Sequence, residues 1–330
     1  MDEHSMAGSI DHGGKIYVAG ATGMVGSAMV RALQRHNFRN IVGPTSRELD
    51  LTRQREVEEF LADQRPAVVI LAAARVGGIL ANNTYRAEFI RTNLQIQTNV
   101  IDGAWQAGVK DLLFFSSSCV YPRLCPQPMK EEHLWTGPLE PTNEPYAVAK
   151  LAGMSLCRAY ADQYGVRYVA LVPTNLYGPN DNFDPAHSHV MAALLRKFHE
   201  AKESRSPTVT LWGSGRPRRE LMFVDDAAEA ALVVLERYDG REALNVGTGE
   251  DHAIRDLAEM VKQVVGYRGD VVFDQTKPDG APRKTLDASR MRECGWKPAV
   301  DLSQGIQLAY DWYLRSLTED TSPCDAIGER

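Results

Sequence analysis

At 330 residues the chain is long enough for about two domains, and its 44% apolar and 24% charged residues suit a globular protein with a buried core. Its 37 Lys and Arg against 43 Asp and Glu leave a net charge of −6, which argues against a nucleic-acid or anionic-membrane binder and their basic surplus. The longest apolar run, Ala67 to Ala74, is far shorter than the ~20 residues of a membrane span.

Residues 1–14, rich in Gly, Ser, His and Asp, and residues 316–330 are expected to be loose tails, and no signal-peptide core follows the acidic start. Between the tails, strand-like runs at Lys15–Ala19, Asn40–Thr45, Ala67–Ala74, Asp111–Ser116 and Arg167–Pro173 alternate with helix-period segments at 24–36, 53–64, 85–108 and 144–164. Continuous β-branched runs separated by helices predict a doubly wound α/β domain with a parallel sheet buried on both faces. After Pro173 the pattern loosens. A polar loop at 175–188 leads to a helix near 189–203 and a strand at Thr208–Trp212. A strand–helix pair follows at 221–237, then a strand at Ala243–Val246, a helix at 253–265 and a charged loop, Thr276–Thr285. The expected division is a dinucleotide-binding domain over 15–178, with elements returning to it around 221–250, and a smaller substrate lobe over most of 179–330. The five cysteines, Cys119, Cys125, Cys157, Cys294 and Cys324, form no CxxC pair. Free thiols in a reducing, cytoplasmic setting are expected, with no metal site.

Lys15 to Gly26 reads as a strand, a glycine turn and a helix start, with glycines at Gly20, Gly23 and Gly26. Such a turn lets backbone approach a pyrophosphate, and the helix N-terminus then faces the anion with unpaired N–H groups and the positive end of its dipole. The GxxGxxG spacing resembles the extended branch of the short-chain dehydrogenase/reductase superfamily. No GxxxxGK[ST] string is present, which excludes a P-loop nucleotidase.

Tyr146 and Lys150 stand four apart and share a helix face. They follow the serine run Ser116-Ser117-Ser118 at a strand end, where parallel sheets bind ligands. An ammonium beside a phenol is expected to lower the tyrosine pKa, so that the phenol exchanges a proton with an oxygen while hydride moves at the adjacent carbon. Ser117 would hold the carbonyl oxygen. The bland alternative is an exposed helix face. Cys119 alone reads as a small buried hydrophobe and His189 alone as a structural histidine. Together they would also suit proton removal and return on opposite sides of a carbon acidified by a neighbouring ketone.

Longer strings carry a more specific resemblance. They are Leu71 to Ile79 (LAAARVGGI), Asn82 to Tyr85 (NNTY), Ser117 to Pro122 (SSCVYP), Glu140 to Tyr146 (EPTNEPY), Pro173 to Pro179 (PTNLYGP), Asp181 to Phe183 (DNF) and Ser188 to Val190 (SHV). Arg219-Glu220 before Val224-Asp225-Asp226, Lys277 to Gly280 (KPDG) and Pro282 to Lys284 (PRK) extend the set. From about Lys15 to Leu314 the chain resembles the GDP-L-fucose synthase family, whose members epimerise GDP-4-keto-6-deoxy-D-mannose at C3 and C5 and reduce it at C4. The resemblance implies a reductase triad of Ser117, Tyr146 and Lys150 and an epimerisation pair of Cys119 and His189. It implies NADP(H) contacts at Gly20, Ala21, Thr22, Gly23, Met24, Val25 and Gly26, and at Phe115, Ser116, Ser117 and Ser118. Further cofactor contacts fall on Lys150, on Pro173, Thr174, Asn175 and Leu176, and on His189. It places substrate contacts at Lys197, Trp212, Arg219 and Asp279, and it implies a homodimer through the helices at 85–108 and 144–164. For Lys197 and Trp212 the alternatives are a solvated helix face and plain core.

The chain departs from the family at three places. Ala21-Thr22 stands where His-Arg is common, Ser46 where an arginine meets the adenosine 2′-phosphate, and Ala192 where proline is frequent. Arg47 is the nearest replacement cation, so Ser46 and Arg47 join the expected cofactor contacts. No acid ends the second strand to grip a free ribose diol, so NADP(H) is expected and NAD(H) is not excluded. Two alternatives stay open: a related reductase or epimerase acting on another nucleotide sugar, and a non-catalytic dinucleotide-binding regulator.

Overall fold

Side chains leave a strand alternately on its two faces, and that alternation divides the interior of this protein. The computed structural model describes residues 11–318 apart from 186 and 278. Its first half runs β1 (Ile16–Ala19), α1 (Met24–Arg35), β2 (Ile41–Val42), α2 (Gln54–Gln64), β3 (Val68–Leu71), α3 (Ile79–Thr84), α4 (Arg86–Gln106), β4 (Asp111–Phe115), α5 (Glu144–Tyr164) and β5 (Arg167–Pro173). All residues of β1 and β3 are buried. Ile16, Val18, Val68, Ile70, Leu113 and Phe115 enter one core, while Tyr17, Ala19, Val69, Leu71, Leu112 and Phe114 enter the other. Strands buried on both faces need helices on both. α1 supplies Ala28, Met29, Ala32 and Leu33 to the first core, and α2 and α4 supply Val57, Leu61, Ile96 and Val100 to the second. Each fully buried Val, Leu, Ile or Met among them contributes about 2 kcal/mol.

The second half runs β6 (Asn175–Tyr177), α6 (Val190–Glu203), β7 (Thr208–Trp212), β8 (Arg218–Phe223), α7 (Val224–Arg237), β9 (Leu244–Val246), β10 (Asp251–Ala253), α8 (Ile254–Val265), β11 (Asp270–Asp274), β12 (Arg283–Lys284), α9 (Ser289–Glu293) and α10 (Leu302–Thr318). The large sheet is parallel, in the order β2-β1-β3-β4-β5-β9. β9 therefore returns to the sheet begun by β1, and α7 packs beside α1, where Arg31 pairs with Asp225 and Arg35 with Glu229. α6, α8 and α10 enclose a third core around Leu195, Phe198, Leu257, Val261 and Ile306.

Several elements differ from the sequence expectation. The first three residues of the expected loop 175–188 form β6, because Asn175–Tyr177 pair with Leu221–Phe223. The expected loop Thr276–Thr285 contains β12, which pairs with Arg218 and Arg219. α10 carries the chain to Thr318, past the start of the expected tail at 316, because Ile306, Ala309, Tyr310 and Tyr313 are buried in the third core. Residues 11–14 make a turn closed by Gly14 N–H on the Asp11 carbonyl at 3.0 Å. The rest of both expected tails, 1–10 and 319–330 with Cys324, lies outside the described residues. Among the described residues no helix is long and apolar enough to cross a membrane.

Two buried carboxylates pin the smaller sheet. Glu220, with no exposed surface, accepts the Leu286 N–H at 2.7 Å and the Gly249 N–H at 2.8 Å. Asp251 accepts from Arg218, Arg283 and the Thr285 hydroxyl. Burial opposes the ionisation of Asp251, but those three donors outweigh it and hold the carboxyl down to about 2. A carboxyl depressed on folding contributes stability that is present above its ordinary value, 3.8 here, and is lost as pH falls through the folded one. The melting temperature of the wild type is therefore expected to fall between about pH 4 and pH 2, whereas Asp251→Asn starts about 2 kcal/mol less stable at pH 7 and declines less across that window. Parallel melting curves for the two proteins below pH 4 would remove Asp251 from this role.

Candidate active site

The strand order reverses between β1 and β3, so the loops after these strands face each other across a crevice at their carboxyl ends. Gly20 has φ +84°, and a Cβ there would lie 2.8 Å from the Ala73 backbone. At position 26 a Cβ would lie 1.9 Å from the Gly20 carbonyl oxygen. Glycine at both positions lets the turn lie flat against the start of α1. Among the described residues no side chain caps that helix at Gly23, and no acid occupies its first turn. Its first N–H groups are thus left to an outside acceptor, at the positive end of the helix dipole. The loop from Gly20 through Ala21, Thr22, Gly23, Met24 and Val25 to Gly26 fits a dinucleotide diphosphate. Ala21 packs on Gly43 after β2, and Ser46 and Arg47 stand exposed farther along that loop. The turn that carries them is shaped by Thr45, whose N–H and hydroxyl both reach the Glu48 carboxylate, at 2.7 and 2.9 Å.

β4 ends at Phe115, and the serine run follows it. Ser116 and Ser118 are buried, Ser116 with its hydroxyl 3.1 Å from Met154 Sδ. Ser117 is extended and caps one 3-10 turn over Ser118–Val120, its Oγ accepting the Cys119 N–H at 3.4 Å. α5 starts with proline in its first turn, a favourable place for a residue lacking an N–H, and carries Tyr146 and Lys150 on one face. Lys150 Nζ donates to the Phe115 carbonyl at 2.7 Å and lies 5.8 Å from the centre of the Tyr146 ring. Burial lowers its pKa to about 8, with Cys119 and Cys157 opposing the fall.

The expected lowering of the Tyr146 pKa by Lys150 is not what this structure holds. Burial, with a smaller contribution from Cys119, pushes the phenol well above its ordinary value. Among the described residues no hydrogen bond joins the two side chains, and the ammonium is engaged by Phe115 instead. The physical reason is enclosure: removing water disfavours the phenolate more than a cation across the ring favours it. Tyr146 stands as a neutral phenol, the form that donates a proton.

His189 caps the start of α6 from an extended backbone. The loop before it is tied to the β3–α3 loop by Gly78 N–H on the His187 carbonyl at 2.9 Å. Gly77 in that loop lies against the Phe89 ring, which meets Tyr146 edge-on at 6.5 Å. One wall thus joins the segment bearing His189 to the helix bearing Tyr146. The imidazole keeps surface open to solvent, and the protein packed around it lowers its pKa. Burial raises the pKa of Cys119, which stands as a thiol, while Lys284, Ser117 and Lys150 oppose the rise.

Trp212, Arg219 and Asp279 line one recess of about 80 Å³. Trp212 is 70% exposed, with Lys277 Nζ 5.7 Å from its ring centre. Asp279 accepts the Ser214 N–H at 2.8 Å and its hydroxyl at 2.6 Å, and Arg219 donates to the Ala281 carbonyl at 2.6 Å. Lys197 is outside this recess, exposed on α6, and donates to the Thr210 carbonyl at 3.0 Å. Pro173 ends β5 and Leu176 lies in β6, but the side chains of Thr174 and Asn175 both donate to the Glu220 carbonyl, at 3.2 and 2.8 Å. They brace β8, so their backbone is what remains for a cofactor. Two groups beside the site had no role in the sequence reading although both stand in its quoted strings. They are Lys284 and Asn143, whose buried Oδ1 has no partner among the described residues.

Residues 16–247 match the model of the NAD dependent epimerase/dehydratase family. The chain belongs to this family. Within it, the chain is 55% identical to GDP-L-fucose synthase 1 of Arabidopsis thaliana, over 93% of this chain and 95% of that one. It is 49% identical to GDP-L-fucose synthase of Escherichia coli (strain K12), over 92% and 97%. The crystal structure of a GDP-L-fucose synthetase from Naegleria fowleri bound to NADP matches with a TM-score of 0.89 at 28% identity, over 97% of each chain. Family membership and the shape of the glycine loop lead to one expectation. Gly26→Ala, with its Cβ 1.9 Å from a carbonyl oxygen, should weaken NADPH binding at least about tenfold in a fluorescence titration while circular dichroism stays that of a folded protein. Unchanged binding would show that the loop does not hold the diphosphate.

Proposed function

We propose that this protein converts GDP-4-keto-6-deoxy-D-mannose to GDP-L-fucose with NADP(H), epimerising C3 and C5 before reducing C4. The observation that carries this reading is a thiol inside a reductase cluster. Cys119 is two residues from Ser117, whose Oγ accepts its N–H, and it is electrostatically coupled to both Lys150 and Tyr146. A plain ketone reductase has no use for a proton carrier there.

A ketone at C4 acidifies C3 and C5. Each inversion needs one group to take the carbon-bound proton, sending the C–H electron pair onto the ketone oxygen as an enolate, and another to return a proton on the opposite face. His189 and Cys119 fill these roles, the imidazole entering as a base and the thiol as an acid. Bound NADPH supplies the hydride for C4. Tyr146 gives its proton to the oxygen at C4, Ser117 hydrogen-bonds that oxygen, and Lys150 holds the end of β4 against α5. Arg219 suits the diphosphate and Trp212 offers a face to the base, with Asp279 beside them. Gly20–Gly26 would hold the cofactor diphosphate, and Arg47 the 2′-phosphate.

The test follows NADPH and, separately, NADH with GDP-4-keto-6-deoxy-D-mannose and identifies the sugar by NMR. GDP-L-fucose is expected, formed faster with NADPH. Tyr146→Phe should lose about 10²- to 10⁴-fold in reduction. Cys119→Ser should stop deuterium uptake from solvent at C3 and C5 yet still bind NADPH. A reduced but unepimerised product from the wild type would overturn the epimerase half.

The pair works as a homodimer in this reading. α4 and α5 leave an apolar groove of about 290 Å³ on their outer side, bounded by Ala87, Ile90, Pro145 and Val148 with Arg86 and Glu144 at its edge. Analytical ultracentrifugation should give twice the chain mass, and Val148→Glu should return the protein to one. A wild-type monomer at micromolar concentration would count against the pairing. A cytoplasmic setting suits Cys119, Cys125, Cys157 and Cys294, all free thiols.

A further inference from the structure

Between β3 and α3 the chain passes through Gly77-Gly78, a pair whose backbone no Cβ restrains. The peptide joining them is gripped at both ends. Its carbonyl, on Gly77, accepts from Asn82 Nδ2 at 2.6 Å, and its N–H, on Gly78, donates to the His187 carbonyl at 2.9 Å. The C=O and N–H of a trans peptide share one plane and point opposite ways, so fixing the carbonyl aims the N–H. The same Nδ2 also donates to the Gly78 carbonyl at 3.1 Å. The Asn82 side chain is buried, and its Oδ1 has no partner among the described residues. An unpaired interior acceptor is destabilising, so the use of this amide lies in its donor.

The segment on the far side fits closely. At Gly78 a Cβ would lie 3.0 Å from the Ser188 carbonyl oxygen, and at Gly77 one would lie 3.2 Å from the Phe89 ring. The N–H groups of His187 and Ser188 close on the Asp184 carbonyl, at 3.2 and 2.8 Å, within their own loop. The Gly78 N–H, by contrast, reaches that loop from the end of β3. His189 follows at once and opens α6, its carbonyl accepting the Ala193 N–H at 2.9 Å. The backbone that carries the imidazole is thus set between a crossing hydrogen bond and the first turn of a helix. Tyr146 is held by other means, with Lys150 on the Phe115 carbonyl at 2.7 Å and Gln97 Nε2 on the Ala149 carbonyl at 2.6 Å. We propose that Asn82 is a positioning residue for epimerisation: by orienting the Gly77–Gly78 peptide it fixes where the His189 imidazole stands. This rests on the reading of His189 as the base that takes a proton from carbon.

The test is a double-mutant cycle of Asn82→Ala and His189→Gln in the full-length protein, read as deuterium uptake from solvent at C3 and C5 of GDP-4-keto-6-deoxy-D-mannose. Asn82→Ala should slow uptake about tenfold, because a small displacement of a proton carrier is felt strongly in the rate. In the His189→Gln background it should add less than about twofold. Oxidation of GDP-L-fucose by NADP+, the reverse of the C4 reduction, takes no proton from carbon and should keep its kcat. Exchange of the Gly78 amide, followed by NMR, should speed up at least about tenfold in Asn82→Ala while the β3 amides stay protected. Asn82→Leu, of similar size and without the donor, stands in if alanine unfolds α3. Equal losses in uptake and oxidation, losses that add in the double variant, or an undisturbed Gly78 amide would overturn the proposal. Uptake left intact by His189→Gln would instead overturn the role read for His189, and the proposal with it. A freed Gly78 amide in a protein whose wild type leaves GDP-4-keto-6-deoxy-D-mannose unchanged would uphold the grip of Asn82 on this peptide and overturn the substrate reading alone.

Discussion

A buried ammonium has to find an acceptor, and in this protein Lys150 finds the carbonyl at the end of β4. That single bond sets α5 against the strand end from which the serine run departs. Because Tyr146 is one turn before Lys150, the same bond places it on the helix that packs against the 3-10 turn bearing Cys119. It also brings Lys150 within 4.6 Å of the Phe114 ring centre, closing the second core directly beneath the chemistry. The helix can come this close because Gly153 presents no side chain to Phe114, where a Cβ would lie 2.6 Å from the ring.

Enclosure then decides the ionisation of everything in the site. Water is the main stabiliser of a phenolate or a thiolate, and its removal drives Tyr146 and Cys119 each toward the neutral form. For a reductase this is favourable at the tyrosine, which has to deliver a proton. For an epimerase it is a demand, since a thiol has to lose its proton as well as return it. Lys284, Ser117 and Lys150 oppose the rise in pKa at the sulfur.

The second half of the molecule is positioned by a different device. Glu220 and Asp251 have almost no exposed surface, and each is surrounded by donors. Through them β8, β10 and β12 form one unit, which carries Arg219 to the recess shared with Trp212 and Asp279. The Glu220 carbonyl, in turn, receives Thr174 and Asn175 from the end of β5. The recess and the reductase cluster therefore belong to one framework.

The sequence by itself determined the parallel sheet and the glycine loop. Both depend on local order: unbroken β-branched runs demand burial on two faces, and a loop that admits only glycine at two points declares itself by spacing. Ser117, Tyr146 and Lys150 stood out for the same reason, since a strand end and a helix i, i+4 pair are short-range features, whereas Cys119 took a role only from the family resemblance. What lay beyond reach was everything set by long-range contact. β12 looked like a charged loop because two residues carry no period, and only pairing with β8 makes them a strand. The direction of the Tyr146 shift followed from enclosure by segments far apart in the chain, which no spacing encodes. Lys284 stood in a recognisable string without a role, because only the pairing of β12 with β8 sets it beside Arg219, 65 residues away in the chain.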